Sequence, residues 1–267
     1  MNRYWHGLVR RLDRRGRRAL LVVPGSLWVS VRYRAPCVVY WRHGNWIHHY
    51  RGAKIPHRAL GRAAPPDVLT ATARDLFVHD YTPQPGDVVF DVGAGNGAEA
   101  LLFSRLVGPT GRVVSIEAHP RTYARLVDLC RANRLDNVTA LQLAVSDAEG
   151  NVVLSDGAHH LQNKVVASDA DGVGVRARRL DTIAAELGIE RLDLLKMNIE
   201  GEEVRALEGM GVLLGATSHV CISCHDFLGM PTKAAVLALL EDHGFDVVTR
   251  DDAPEPWTRD YVYGTRR

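Results

Sequence analysis

The chain has 267 residues, enough for one large domain or a domain with an attachment. Its hydrophobic content of 46% is that of an ordinary globular protein, and four cysteines in this length exclude a disulfide scaffold. The net charge of +2 conceals a division: residues 1–63 hold 14 Lys and Arg against one acid, Asp13, and the rest of the chain is acidic. A basic front end points to a polyanionic partner. Only four of the 33 basic residues are Lys, so the codon bias of a GC-rich genome accounts for the choice of Arg but not for the clustering.

Residues 3–18 form a basic stretch with Trp5, Leu8 and Leu12 at helical spacing. It reads as a solvated helix, or as one lying on an anionic membrane or a partner subunit. Ala19 to Val31 follows twin arginines and has the apolar content of an export signal. Pro24-Gly25-Ser26 interrupts it, Val31-Arg32-Tyr33-Arg34 stands where a small-residue cleavage site is needed, and it is too short to span a membrane. It is expected as strand, turn and strand in a cytoplasmic protein. Cys37 to Arg42 and Trp46 to Arg51 flank His43-Gly44-Asn45 and read as a β-hairpin. Its Trp, Tyr and His side chains suit stacking on sugar rings or burial at a dimer interface. No carboxylate or Cys stands at a metal-ligand spacing among its histidines. Gly61 to Asp67 is a Gly/Ala/Pro linker. Residues 1–63 are therefore expected as an extension making substrate or dimer contacts, and 64–267 as the main domain, entered by a helix ending near Val78.

From Val88 strand and helix alternate, the mark of a doubly wound parallel sheet. Val88-Val89-Phe90-Asp91-Val92 is a run for a strand buried on both faces, after the turn Pro85-Gly86-Asp87. Gly93, Gly95 and Gly97, with Asn96 among them, let the backbone curl and approach a ligand, and a helix from Ala98 turns its N–H groups toward the loop. The glycines alone also fit a dinucleotide fingerprint. Asp91, two residues before the first glycine, would repel a pyrophosphate and suits a cationic ligand such as S-adenosylmethionine. Arg112 to Glu117 is the next strand, and Glu117, 20 residues beyond Gly97, is placed to accept hydrogen bonds from ribose hydroxyls. Pro120 opens a helix striped by Tyr123, Leu126, Val127 and Cys130. Val138 to Val145 is a third strand, followed by Ser146-Asp147.

Asn151 to Ser155 is a short strand, Asp156 to Gly174 with His159-His160 a polar loop over the site, and Val175 to Leu180 a strand. Asp181 is expected to cap the helix Thr182 to Leu187, which Gly188 ends. Leu192 to Met197 delivers Asn198-Ile199-Glu200-Gly201-Glu202, and Val220 to Cys224 delivers His225-Asp226, to the carboxyl ends of strands, where open α/β sheets bind ligands. Cys221-Ile-Ser-Cys224-His225 matches the c-type haem attachment pattern, but on a strand the two cysteines point to opposite faces and read as core. Thr232 to His243 is a helix. Phe245 to Thr249 and Asp260 to Gly264 close the sheet as partly antiparallel strands.

Asp91-Val92-Gly93-Ala94-Gly95-Asn96-Gly97 resembles motif I of class I methyltransferases. The ordered set of motifs resembles the FkbM-type family of S-adenosylmethionine-dependent methyltransferases over about residues 83–250. Glu117, Ser146-Asp147 and Leu180-Asp181 follow in the family's order. Its Lys-x-Asp-x-Glu-Gly-x-Glu appears as Lys196-Met197-Asn198-Ile199-Glu200-Gly201-Glu202-Glu203, with Asn198 in place of the usual Asp, and His225 matches a His after the fifth strand.

The resemblance implies an α/β class I methyltransferase fold: a Rossmann-like, doubly wound, seven-stranded sheet, here with a small N-terminal extension containing a β-hairpin. It implies that Asp91, Gly93, Gly95, Asn96, Gly97, Glu117, Ser146, Asp147 and Asn198 bind S-adenosylmethionine, with Ser146-Asp147 at the adenine. It implies O-methylation of a small hydroxyl acceptor, a sugar, oligosaccharide or glycoside first and a polyketide-type natural product as the alternative. An aliphatic hydroxyl needs a base, and Glu200, His225 and Asp226 are the candidates. Together with Asn198 they also suit a divalent cation such as Mg²⁺. RNA ribose methylation stays open on the basic front end, although no nucleic-acid partner is expected. Asn198-Ile199-Glu200 lacks the proline and aromatic of enzymes that methylate a base's amine. Extra N-terminal elements of this kind favour a homodimer.

Overall fold

A computed structural model describes residues 9, 11–13, 16–155, 165–166, 172–226, 229 and 231–267. Trp5 and Leu8 of the basic stretch, and His159 and His160 of the loop expected over the site, lie outside the described residues. The chain forms two compact units, one of residues 1–72 with 128–134 and one of residues 73–127 with 135–267.

In the first unit a 3-10 turn (Arg18–Leu21) runs into helix α1 (Val22–Tyr33), in place of the expected strand, turn and strand. Pro24 stands in the first helical turn, where its missing N–H costs little. Gly25 lets the helix press onto the sheet behind it, since a Cβ there would meet Leu60 and Val39 at 3.1 Å. The Ser26 hydroxyl donates to Val22 O at 2.6 Å and accepts from Val39 N–H at 2.9 Å. The residues that read as a turn are thus the helix's contact face.

The hairpin forms as expected from β1 (Cys37–Arg42) and β2 (Asn45–Tyr50). A third strand, β3 (Ala53–His57), extends it to an antiparallel sheet of order β1-β2-β3. Arg42 pairs with Asn45, so the turn is His43-Gly44, and both residues have positive φ, as a two-residue hairpin turn requires. Trp46, His48 and Tyr50 are buried in this unit's own core, while Tyr40 and Trp41 are partly exposed and His43 and His49 exposed. His48 Nε2 accepts the Gly61 N–H at 2.8 Å, and burial pushes its pKa down to about 4. Helix α2 (Pro66–Phe77) follows, its residues to 72 counted with the first unit and those from 73 with the second.

Next β4 (Val88–Val92), α3 (Ala98–Val107), β5 (Arg112–Ile116), α4 (Pro120–Asn133) and β6 (Val138–Leu141) alternate, all in the second unit except the part of α4 from residue 128, which belongs to the first. The third strand stops at Leu141. The chain then leaves the main sheet, and β7 (Ala144–Val145) joins β8 (Gly150–Ser155), β9 (Val165–Val166) and β10 (Gly172–Arg178) in a second sheet of order β7-β10-β8-β9. Helix α5 (Leu180–Glu186), β11 (Leu192–Met197), the short helices α6 (Glu203–Glu208) and α7 (Gly211–Gly215), β12 (Thr217–Ser223), α8 (Lys233–Asp242), β13 (Phe245–Thr249) and β14 (Tyr261–Arg266) complete the unit. Asp181 does not cap its own helix. Its carboxylate accepts from Leu213 N–H at 2.8 Å and Val212 N–H at 3.3 Å, in the first turn of α7.

The main sheet has seven strands in the order β13-β14-β12-β11-β4-β5-β6, with β14 antiparallel to both neighbours. The chain moves outward in one direction from β4 to β6 and in the other from β11, so the order reverses between β4 and β11. That switch point opens a crevice at the carboxyl ends of the two strands. Phe90, Val92, Leu195 and Met197 fill the core on one face, and Val89, Val113, Leu194 and Cys221 fill it on the other with Phe77 and Phe103. Strand β11 is buried at all six positions, as a central parallel strand should be. Cys221 and Cys224 are core residues, and no disulfide joins any of the four cysteines.

Candidate active site

At the switch point the loop after β4 is closed against β5: Gly93 and Ala94 N–H both donate to Ile116 O, at 2.9 and 3.0 Å. Gly93 has φ +75°, and a Cβ on it would lie 1.9 Å from Asn198 O, so only glycine fits between the two strand ends. Gly95 N–H donates to Glu117 Oε2 at 2.9 Å, and His119 N–H donates to Glu117 Oε1 at 2.9 Å. Glu117 is thereby clamped beside the glycine loop. Burial raises its pKa to about 7, against the pull of these two backbone donors. Gly97 has φ +91° and caps α3, whose first N–H groups face the loop. Asn96 is exposed and accepts from Arg125 at 3.4 Å.

Beneath the loop lies a fully buried ion pair. Lys196 Nζ is 2.9 Å from Asp91 Oδ1, with side-chain exposures of 1% and 0%. The same ammonium donates to Gly93 O at 2.8 Å, and the Ser115 hydroxyl donates to Asp91 Oδ2 at 3.3 Å. Asp91 therefore spends its charge on Lys196, and the pair pins the first glycine. Burial alone would lower the Lys196 pKa, but the charges of Asp91 and Glu99 outweigh it and hold it raised. Burial raises the Glu99 carboxyl, opposed by Lys196 and helped by Asp91.

Asn198 donates its backbone N–H to Val92 O at 3.0 Å, while its side-chain Oδ1 is buried with no hydrogen-bond partner. An orphaned acceptor, an open space at Gly95 where a Cβ would meet nothing within 4 Å, and a carboxylate clamped to the loop fit the donor-rich, cationic S-adenosylmethionine. Glu117 would meet its ribose, and Asn198 and the glycine loop its amino-acid end. Ser146 and Asp147 sit elsewhere than expected, after β7 rather than at the end of a strand of the main sheet. Ser146 donates to Asp147 Oδ1 at 2.9 Å, and Asp147 also holds Arg205 at 2.8 Å. The carboxyl end of β6 itself delivers Gln142.

At the ends of β11 and β12 stand two residues with left-handed backbone, Glu200 at φ +57° and His225 at +53°. Side chains other than glycine rarely adopt it, and such strain concentrates at functional sites. His225 Nδ1 is 2.9 Å from Glu203 Oε1, and its Nε2 is 3.7 Å from Glu200 Oε1. Glu203 is fully buried and accepts from Thr232 Oγ1 at 3.0 Å and Gly201 N–H at 3.1 Å. Burial would raise the Glu203 pKa, but the hydrogen bond and charge of His225 hold it below the ordinary carboxylate value. Burial would likewise lower His225, yet Glu203 first and Glu200 after it hold it above the ordinary imidazole value. Glu200 is raised by burial, with His225 opposing. Asp226, a candidate base from sequence, is otherwise engaged: its Oδ1 accepts the Lys233 N–H at 3.0 Å and caps α8. Among the described residues no three His, Cys, Asp or Glu side chains converge as a metal site.

Three of these residues are absent from the sequence-derived site. Lys196 had a signal, an ammonium inside an apolar run that must be buried on both faces. Glu203 had a weaker one, its place at the end of the Lys-x-Asp-x-Glu-Gly-x-Glu motif. Glu99 had none, since it reads as an ordinary acid in a helix's first turn.

A family model for the FkbM methyltransferase domain matches residues 91–247, which span the glycine loop, Glu117, the Lys196–Glu203 segment and His225. The chain belongs to the FkbM methyltransferase family. It is 30% identical over 252 residues to the 31-O-demethyl-FK506 methyltransferase FkbM of Streptomyces tacrolimicus, covering 81% of this chain and 94% of that one. It is 27% identical over 180 residues to the 2-O-methyltransferase NoeI of Sinorhizobium fredii, covering 59% and 72%. A solved methyltransferase FkbM from Methylobacillus flagellatus shares the fold with a TM-score of 0.51 at 17% identity, over 71% of this chain and 46% of that one. This FkbM-family protein is a class I methyltransferase that uses S-adenosylmethionine.

Proposed function

We propose that this FkbM-family enzyme methylates a hydroxyl oxygen of a small acceptor, a saccharide before a polyketide-type product, in the cytoplasm. The observation that carries the reading is the Glu203–His225 pair at the carboxyl ends of β11 and β12. With Glu203 held as a carboxylate, His225 donates its Nδ1–H to it, and Nε2 becomes the basic nitrogen. Bound at the crevice, S-adenosylmethionine supplies a methyl carbon already activated by its sulfonium. An acceptor hydroxyl held beside it would form its oxygen–carbon bond as the carbon–sulfur bond broke, and His225 Nε2 would take the hydroxyl proton. Glu203 would balance the imidazolium, with S-adenosylhomocysteine and the methyl ether as the products. Glu200, a fifth of whose side chain is exposed, is an acceptor for a second hydroxyl, which favours a polyol. Both curated relatives named above carry oxygen as the methylated atom in their names.

The test is incubation with S-adenosylmethionine and a panel of saccharides and polyketide alcohols, with products read by mass and by the methoxy signal in NMR. A methyl ether that disappears with His225→Ala is the expected result. Binding of S-adenosylhomocysteine with no methylation of any hydroxyl, or methylation at nitrogen, would overturn the reading.

A further inference from the structure

Helix α1 carries apolar side chains on two opposite faces, with Ser26, Ser30 and Arg32 between them. Leu21, Gly25 and Val29 are buried against the unit's own core. The opposite face carries Val23, Leu27 and Val31, continued by Leu20 of the preceding 3-10 turn, and the four are 63–79% exposed. At 100° per residue the three on the helix fall within a stripe about 80° wide. They are four of the nine exposed large hydrophobics among the described residues, and the other five stand singly on five other elements. An apolar stripe left open on a helix is ordinarily a contact surface.

What covers it follows from size and charge. Four such side chains open a few hundred Å², short of the roughly 800 Å² per partner that a stable dimer needs. The stripe lies in a segment where 14 Lys and Arg stand against a single acid. Arg17 and Arg18 precede it, and Arg32 and Arg34 follow it. Apolar side chains on one side of a short helix, with cations at both ends, match the boundary between acyl chains and anionic headgroups. The helix has 12 residues, about 18 Å, against a hydrocarbon core of about 30 Å, so it lies in the surface and does not cross it. We infer that α1 docks this enzyme on an anionic lipid surface through Leu20, Val23, Leu27 and Val31. The inference stands apart from the choice of methyl acceptor.

The test is sedimentation of the full chain with vesicles of phosphatidylcholine alone and of phosphatidylcholine mixed with phosphatidylglycerol. Binding is expected on the mixed vesicles, and at least tenfold weaker on phosphatidylcholine. The double variant Leu27→Ser/Val31→Ser, which adds no charge, should weaken binding at least tenfold while S-adenosylhomocysteine affinity and thermal midpoint stay as in the wild type. Equal binding by the variant would mean that the arginines act alone and would overturn the role of the stripe. Absence of vesicle binding would overturn the inference outright. So would a dimer in analytical ultracentrifugation that the double variant dissociates, because a second copy would then cover the face.

Discussion

His225 and Glu200 are held in backbone conformations that cost about 1–3 kcal/mol each, and Glu203 is the residue that braces the first of them. Because Glu203 and Glu200 hold His225 above the ordinary imidazole value, its neutral, proton-accepting form is gained only as pH rises past that of free imidazole. The rising limb of kcat/KM against pH should therefore lie above about 6.5. Glu203→Gln removes the charge that favours the imidazolium, so the limb should move to lower pH. The accompanying fall in kcat should be smaller than the roughly 10²–10⁴-fold expected of His225→Ala. A purely structural Glu203 would lower activity without moving the limb. Glu117 gives a second prediction of this kind. Its pKa of about 7 means that the ionised form, the better acceptor for ribose hydroxyls, is lost as pH falls through neutrality. Affinity for S-adenosylhomocysteine should fall below pH 7, and calorimetry should find that dependence gone in Glu117→Gln.

The glycine loop is positioned by two elements at once. Strand β4 supplies Asp91, β11 supplies Lys196, and their ion pair reaches the carbonyl of Gly93. Lys196→Met would leave Asp91 buried without its partner, which should cost about 3–5 kcal/mol in denaturant unfolding. Lys196→Met/Asp91→Leu should recover most of that loss, because no uncompensated charge then remains. The strand–loop–helix of β4 and α3 is legible in the sequence because buried parallel strands, φ-permissive glycines and helix starts each leave a local mark. Other elements leave a misleading one. Pro24-Gly25-Ser26 has the composition of a turn, yet in α1 the proline takes a first-turn position and the glycine and serine become packing contacts. The run from Val138 to Val145 is uniformly strand-like, but at Gln142 it changes sheets, and that decision lies in pairing with β10, residues away in sequence. Asp181 precedes a helix and looks like its cap, but its acceptors are used by a different helix close in space. In the site, types and order were readable, whereas which carboxylate pairs with which cation was not. Asp226 fell to a helix cap for that reason, and Glu203 rose to hold the histidine.

At the scale of the whole chain, the two compact units differ in charge as well as in architecture. The basic, hairpin-bearing one contains α1 with its open apolar stripe, and the acidic one contains the crevice. A ligand that binds only the folded second unit should stabilise it by mass action. S-adenosylhomocysteine at 100 times its Kd contributes about 2.7 kcal/mol. For a unit of this size that is a rise in thermal midpoint of roughly 5–10 °C, with none expected from NAD.

The buried thiols allow the two units to be followed separately. Burial pushes Cys37 up to about 11 in the first unit, and Cys224 up to about 12 and Cys221 higher still in the second. A thiol that is both shielded and protonated does not meet an alkylating reagent until its surroundings come apart. Iodoacetamide labelling followed by mass spectrometry therefore measures an opening rate at each position. Cys37 times the excursions of the first unit and Cys221 those of the second, and S-adenosylhomocysteine should slow labelling at Cys221 more than at Cys37. Three core side chains, chemically quiet in the native state, thus become independent clocks for how often each half of the molecule comes undone.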